Sequence, residues 1–321
     1  EMRALLDDME EGRVDILVAM NAETYRKDHA DVAPGGYLVY DSTWPRSALF
    51  TRTDIHVLGV PLSRICNENF PTARARVLMK NIMYVGVLAA LLELDREVIA
   101  TLLKEQFAAK ASLLEANQKA LDLGYAYARE HFACPLPFRA RTIDRTAGHI
   151  MIDGNTTAAL GCLFAGATVG AWYPITPSTS LMDGFRKFCE KWRKDPVTGK
   201  ANYCIVQAED ELAAAGMVMG AGWNGARAFT PTSGPGISLM GEIIGYAYYA
   251  EIPMVLFDVQ RCGPSTGMPT RTQQADLMAC AYASHGDTRH VLLFPSSPEE
   301  AFYAAVQAFD LAERLQTPVI V

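Results

Sequence analysis

The 321-residue chain is half hydrophobic and one-fifth charged, with 36 acidic against 29 basic side chains and a net charge of −7. That balance excludes nucleic acid as the main partner, because phosphate contacts need clustered Lys and Arg. The longest apolar runs, such as residues 82–92, fall short of the roughly 18–20 residues a membrane helix needs, so no membrane partner is expected.

Residues 15–21 form a short apolar run suited to a buried parallel strand. A helical stretch over 22–33 follows, and Pro34-Gly35-Gly36 then reads as a turn into a second run at 37–40. A third run covers 56–62, and three helical patterns follow at 73–92, 95–107 and 112–132. Strands joined by helices indicate an open α/β sheet. Such sheets usually open on a glycine-rich β-loop-α unit, and nothing of that kind precedes Asp15. The expectation is a first α/β domain over 1–130 whose N-terminal unit is missing. Residues 131–150 carry Cys134-Pro135-Leu136-Pro137 and three arginines, and read as a linker.

A second α/β domain is expected over 151–321. Its helices are read at 158–167, 181–192, 212–222, from about 237 to near Ala250, and 299–315. Its strands are read at 168–172, 203–207, 226–230, 254–259, 291–294 and 317–321. The last of these stops in mid-pattern, so a C-terminal truncation is expected.

Five features of this domain bear on chemistry. Tyr173-Pro174-Ile175-Thr176-Pro177 is stiffened by two prolines, and Ser178, Thr179 and Ser180 behind it are N-cap candidates. It is either an ordinary turn or a ligand-facing one. Glu209-Asp210-Glu211 opens an Ala/Gly-rich helix, where Glu211 would be partly buried; a solvated acidic helix start is the plain alternative. Thr232-Ser233-Gly234-Pro235-Gly236 runs from strand to helix, a context that can present N–H groups to an anion or simply make a tight turn. Arg261 follows a strand, at the edge where open α/β sheets bind ligands, and a guanidinium there suits a carboxylate or a salt bridge. His285-Gly286-Asp287 reads as a structural turn.

Two patterns lack the context they would need. Gly220-x-Gly222-x-x-Gly225 ends a helix, whereas a dinucleotide fingerprint opens one. Gly216 and Gly220, one turn apart, are expected to admit another backbone. The seven cysteines include no C-x-x-C pair, which fits a reducing cytoplasm and gives no metal site built by this chain alone.

Taken together, Tyr173–Ser178, 207–211, 232–236, 258–261 and 263–270 resemble the α subunit of the thiamine-diphosphate-dependent 2-oxoacid:ferredoxin oxidoreductases. Residues 1–130 resemble that family's γ domain fused ahead of α. The resemblance implies a pyrimidine-binding, parallel-sheet, three-layer fold for the second domain. It implies that Glu211, with Glu209 as fallback, bonds N1′ of the aminopyrimidine, and that Tyr173, Pro174, Ile175, Ser233 and Gly234 line the cofactor. Thr176 and Arg261 would bind the substrate's oxo and carboxylate oxygens. The implied reaction is oxidative decarboxylation of a 2-oxoacid, with coenzyme A (CoA) as co-substrate and ferredoxin as electron acceptor. The fused layout favours 2-oxoglutarate over pyruvate, branched-chain oxoacids or indolepyruvate. A non-redox decarboxylase and a non-catalytic assembly module are the rivals. The G-D-G…N motif that binds Mg²⁺ and diphosphate is absent from these residues. Mg²⁺ and an iron–sulfur (4Fe–4S) cluster are therefore expected on a partner β subunit.

Overall fold

The computed structural model describes residues 14–21, 23–44, 50–108, 110–141, 145–261, 263–264 and 273–321. They divide into two compact units, with the boundary between Arg145 and Thr146.

In the first unit, β1 (Val14–Ala19), β2 (Val32–Asp41) and β3 (His56–Val60) form a parallel sheet in the order β1-β2-β3, with α1 (Tyr25–Asp31) between the first two. Helices α2 (Leu62–Asn69), α3 (Ala73–Leu91), α4 (Arg96–Phe107) and α5 (Ala111–His131) follow. Pro34-Gly35-Gly36 is not a turn ahead of a strand but lies inside β2. The pairing jumps from Val14–Val32 to Ile16–Tyr37, so the extra residues are taken up in a bulge, with Gly35 at φ 78°. Helix α2, which its apolar spacing did not announce, starts where the Asp41 carboxylate accepts the Ser63 N–H at 3.2 Å. Helix α4 starts where Asp95 accepts the N–H of Glu97 at 2.8 Å, as an N-cap should.

Helices α3 and α5 cross backbone to backbone. A Cβ on Gly86 would collide with the Leu121 carbonyl, and one on Gly124 with the Met83 carbonyl. Around this crossing pack Val39, Val60, Met83, Val87 and Ala120, all fully buried. The proline-rich run read as a linker begins as part of this unit. Leu136 is buried, and its N–H donates to Leu91 O at 2.8 Å.

The second unit comprises α6 (Gly154–Phe164), β4 (Val169–Trp172), α7 (Thr179–Trp192), β5 (Cys204–Gln207), α8 (Glu211–Trp223) and β6 (Ala228–Thr232). It continues with α9 (Gly234–Tyr249), β7 (Met254–Asp258), α10 (Leu277–Ala281), β8 (Val291–Leu292), α11 (Pro298–Leu315) and β9 (Pro318–Ile320). Its strands among the described residues are parallel, in the order β5-β4-β6-β7-β9-β8.

Side chains alternate across each strand, so a short apolar strand feeds two cores at once. Trp172, Phe229, Val255, Phe257 and Val319 face α6, α7 and α11. Ala171, Ala228, Met254, Leu256 and Ile320 face α8, α9 and α10. The result is three layers. Phe229 anchors the first core, with its ring edge-on to Phe185, Phe257 and Phe309 at 4.9, 5.8 and 6.2 Å. Gly216 and Gly220 do not make the close approach expected of them, since a Cβ on either meets nothing among the described residues. Gly222 makes it instead, against the Pro253 carbonyl.

Candidate active site

The strand order sets the place. From β4 the chain moves outward to β5, then crosses back over β4 to β6, so the connections after β4 and β6 diverge. At such a reversal the carboxyl ends of two neighbouring strands leave a crevice between them.

The turn after β4 is held from several sides. The Ile175 carbonyl accepts the Ser178 N–H and hydroxyl, both at 2.9 Å, and the Thr179 hydroxyl at 3.4 Å. Asn155 at the start of α6 donates to Pro177 O at 3.0 Å and to Ser180 Oγ at 2.8 Å. Ser178 therefore occupies the N-cap position of α7 without capping it, because its hydroxyl is spent on Ile175. Tyr173, Pro174 and Thr176 remain exposed on this braced turn, and Ile175 is half-buried.

At the next strand end, Trp172 O accepts the Ala208 N–H at 2.8 Å, and the acidic triplet divides its labour. Glu209 is exposed. Asp210 caps α8 by accepting the Ala213 N–H at 2.7 Å. Glu211 turns inward and is only 7% exposed. Its Cγ lies 2.9 Å from where a Cβ would stand on Gly236, and that same Cβ would collide with Thr232 Oγ1. Glycine at 236 is what lets the carboxyl lie against the turn after β6. Among the described residues no hydrogen bond or ion pair engages that carboxyl, although a buried carboxyl ordinarily has a partner.

Ser233 heads α9 and is fully buried, and its hydroxyl has no hydrogen-bond partner. Gly234 follows as the first residue of the helix. A carboxyl and a hydroxyl, both buried and both unspent, at one sheet edge are the groups that a polar heteroaromatic ring with a basic nitrogen would use. The residues present thus fit an aminopyrimidine.

Arg261 lies three residues past β7 and is 4% exposed. The Val259 N–H donates to Thr232 O at 2.9 Å, so this segment leaves the sheet beside the Ser233 turn. The contacts at this edge join Glu211 to the Gly236 turn; Thr176 stands exposed on its own turn, and Arg261 is buried past β7. Cys262 and residues 265–272, which carry most of the 263–270 motif, lie outside the described residues. His285 is exposed and pairs with Glu242 at 3.5 Å, in keeping with a structural turn.

Sequence reasoning missed a cluster at the same edge. Asp258 ends β7, and its Oδ2 accepts the Cys280 thiol at 3.6 Å. Burial, then the neighbouring Asp276 carboxyl, push Asp258 up to about 7, against the downward pull of the thiol bond. Asp258 was visible as a strand-end residue, but nothing in a linear sequence sets it against Cys280. Beside it, a cleft of about 670 Å³ is lined by Asn155, Pro177, Asp258, Gln260, Gln274 and Phe294. Of the expected turn this cleft takes in Pro177 alone. Among the described residues no three His, Cys, Asp or Glu side chains gather as metal ligands, and no helix is long and apolar enough to cross a membrane.

Comparison with known proteins identifies both units. Residues 160–321 match the family described as "Pyruvate flavodoxin/ferredoxin oxidoreductase, thiamine diP-bdg", and residues 4–127 match "Pyruvate ferredoxin/flavodoxin oxidoreductase". The 2-oxoacid:ferredoxin oxidoreductase 2 alpha subunit of Aeropyrum pernix is 33% identical across 96% of this chain and 54% of its own length. The chain belongs to the 2-oxoacid:ferredoxin oxidoreductase family. Its second unit is that family's thiamine-diphosphate-binding domain. The 2-oxoglutarate synthase subunit KorA of Archaeoglobus fulgidus is 44% identical over 53% of this chain and 47% of its own. A solved 2-oxoglutarate:ferredoxin oxidoreductase from Magnetococcus marinus, with 2-oxoglutarate, coenzyme A and succinyl-CoA bound, superposes with a TM-score of 0.76 at 31% identity. That match covers 96% of this chain and 51% of the other. The chain thus spans about half the length of the curated relatives it matches.

Proposed function

We propose that the chain is the fused γ/α portion, residues 1–130 and 151–321, of a CoA-dependent 2-oxoacid:ferredoxin oxidoreductase. In this reading it works with a β subunit that brings Mg²⁺, the diphosphate site and an iron–sulfur cluster. The observation that carries it is the buried, unengaged Glu211 at the strand reversal of a thiamine-diphosphate-binding domain. When bound, thiamine diphosphate supplies the carbon nucleophile that makes 2-oxoacid decarboxylation accessible. The protein's own part is to hold and move protons and to orient the substrate.

Glu211 is assigned to hydrogen-bond N1′ of the aminopyrimidine and to shuttle its proton, with Glu209 too exposed to do so. The desolvated setting at Gly236 strengthens such a bond, because no water competes for the carboxyl. Ser233 and Gly234 would line the same ring, and Tyr173, Pro174 and Ile175 would also hold the cofactor. Thr176 is assigned to the substrate's oxo group and Arg261 to its carboxylate, which a guanidinium grips with two parallel bonds. The free thiols Cys66, Cys134, Cys162, Cys189, Cys204 and Cys280 favour a cytoplasmic setting.

The favoured substrate is 2-oxoglutarate, named in the Archaeoglobus and Magnetococcus relatives, and pyruvate is the second reading because both family descriptions name it. The test is CoA- and 2-oxoacid-dependent viologen reduction by the complex with its partner, across a panel of oxoacids. Turnover with 2-oxoglutarate supports the reading, turnover with pyruvate moves it to the second, and no reduction with any 2-oxoacid overturns it.

A further inference from the structure

The start of α9 carries one more polar group, which the assignments above leave unused. Asp276 stands at the N-cap position of α10, yet its side chain caps nothing. Asp95, Asp153 and Asp210 stand at the same position of α4, α6 and α8, and each spends a carboxylate oxygen on a backbone N–H of its own helix. That is the ordinary use of an aspartate there. Asp276 turns its carboxyl to α9 instead. A Cβ on Gly234 would collide with its Oδ2 and lie 2.5 Å from its Oδ1, so the carboxyl rests directly on the first residue of that helix. The rest of the segment is tied to α9 as well. Ser284 fills the space a Cβ on Gly245 would need, and Tyr249 donates to His285 O at 3.1 Å. The stretch 276–285 is therefore a strap laid along α9, with Asp276 at its front end.

We infer that Asp276 accepts a hydrogen bond from the exocyclic amino group of the aminopyrimidine, beside a Ser233 hydroxyl that donates to the neighbouring ring nitrogen. Asp276 Oδ2 is buried without a hydrogen-bond partner, and so is the hydroxyl of Ser233, a residue with no exposed surface. A buried donor or acceptor left unpaired costs its full desolvation, and a ligand that meets both removes that cost. The two groups attach to consecutive residues: Ser233 carries the hydroxyl, and Gly234 carries the Asp276 carboxyl against its Cα. Their chemistry is also complementary to one edge of the ring. An aminopyrimidine presents a ring nitrogen that accepts next to an amino group that donates, and a hydroxyl next to a carboxyl oxygen answers it in the same order.

Glu211 meets α9 at Gly236 and Asp276 meets it at Gly234, so both carboxyls converge on one helical turn. They offer the ring two different handles. Glu211 takes N1′, as assigned above, and Asp276 takes the amino group on the carbon opposite it. Asp258, at the neighbouring strand end, is already engaged by the Cys280 thiol through Oδ2. The assignment also explains glycine at position 234, because any larger residue would displace the carboxyl. It rests on the cofactor reading given above.

The experiment uses the complex with its partner subunit, freed of cofactor, and two ligands: thiamine diphosphate and its deamino analogue, in which hydrogen replaces the amino group. Calorimetric titration should show Asp276→Ala binding thiamine diphosphate at least about tenfold more weakly than wild type, the worth of one hydrogen bond. The same variant should bind the analogue as tightly as wild type does, because the analogue has no amino group to lose. Removing an unpaired buried carboxyl does not threaten the fold, and a variant that failed to fold would lose both ligands alike. Equal losses on the two ligands, or no loss on either, overturn the inference and leave the cofactor reading standing on Glu211. If neither ligand binds the wild-type complex, the cofactor reading falls and this assignment falls with it.

Discussion

Gly236→Ala puts the geometry around Glu211 to a sharp test. The added Cβ would overlap Thr232 Oγ1 and stand 2.9 Å from Glu211 Cγ, and both neighbours are buried. Alanine gains about 1 kcal/mol over glycine in a helix interior, while overpacking a filled site costs about 1–3 kcal/mol. The net loss of stability is thus at most about 2 kcal/mol, a few degrees in melting temperature. The effect on binding is larger, because the Glu211 carboxyl is pushed off its position. A hydrogen bond to a charged group is worth about 1.5–3 kcal/mol, so cofactor affinity should fall roughly 10- to 150-fold. Removing the other half of the clash should restore much of it, making Gly236→Ala with Thr232→Ala tighter than Gly236→Ala alone. Calorimetric titration of thiamine diphosphate into the complex, beside a thermal melt, measures both quantities. A Gly236→Ala protein that binds as tightly as wild type would refute the contact that this reasoning depends on.

Other substitutions probe separate parts of the argument. Glu211→Ala should cut kcat by about 10²–10⁴-fold, the usual worth of a positioned proton-transfer group, and Arg261→Ala should raise KM for the oxoacid about 10- to 150-fold. An unchanged kcat in the first or KM in the second removes the assigned role. Phe229→Ala, at the meeting of three rings, should destabilise the second unit by about 3–5 kcal/mol in denaturant unfolding. A folded-state carboxyl pKa near 7 lies above its unfolded value of about 3.9, so the native state holds the extra proton between these values. Stability from Asp258 is therefore present below about pH 4 and lost as pH rises towards 7. Asp258→Asn should accordingly gain on the wild type in melting temperature as the buffer moves from about pH 5 to about pH 8. Parallel melting curves across that range would remove Asp258 as the source.

Much of this protein is legible in its linear order. Short apolar strands between helical stretches announce two parallel α/β sheets, because periodicity and turn residues are local properties. The strand-end residues Tyr173–Thr176, Glu211, Ser233 and Arg261 were readable as candidates on the same ground, since in a parallel sheet they must emerge at one edge. Local signals failed where several residues compete for one role. Glu209, Asp210 and Glu211 are nearly equivalent on paper, and only the packed helix start decides that Asp210 caps, Glu209 is solvated and Glu211 turns inward. Gly216 and Gly220 looked like the site of close approach, yet Gly222 and Gly236 are where a neighbour comes within reach. The bulge at Gly35 was mistaken for a turn, because a bulge is defined by the partner strand's register and not by its own residues. The contact of Asp258 with Cys280, 22 residues on, was beyond reach altogether. Chain order determines which side chains stand at a strand end. Which of them lose water, and beside which distant partner, is settled only when helices close over the sheet and burial sets the cost of each charge.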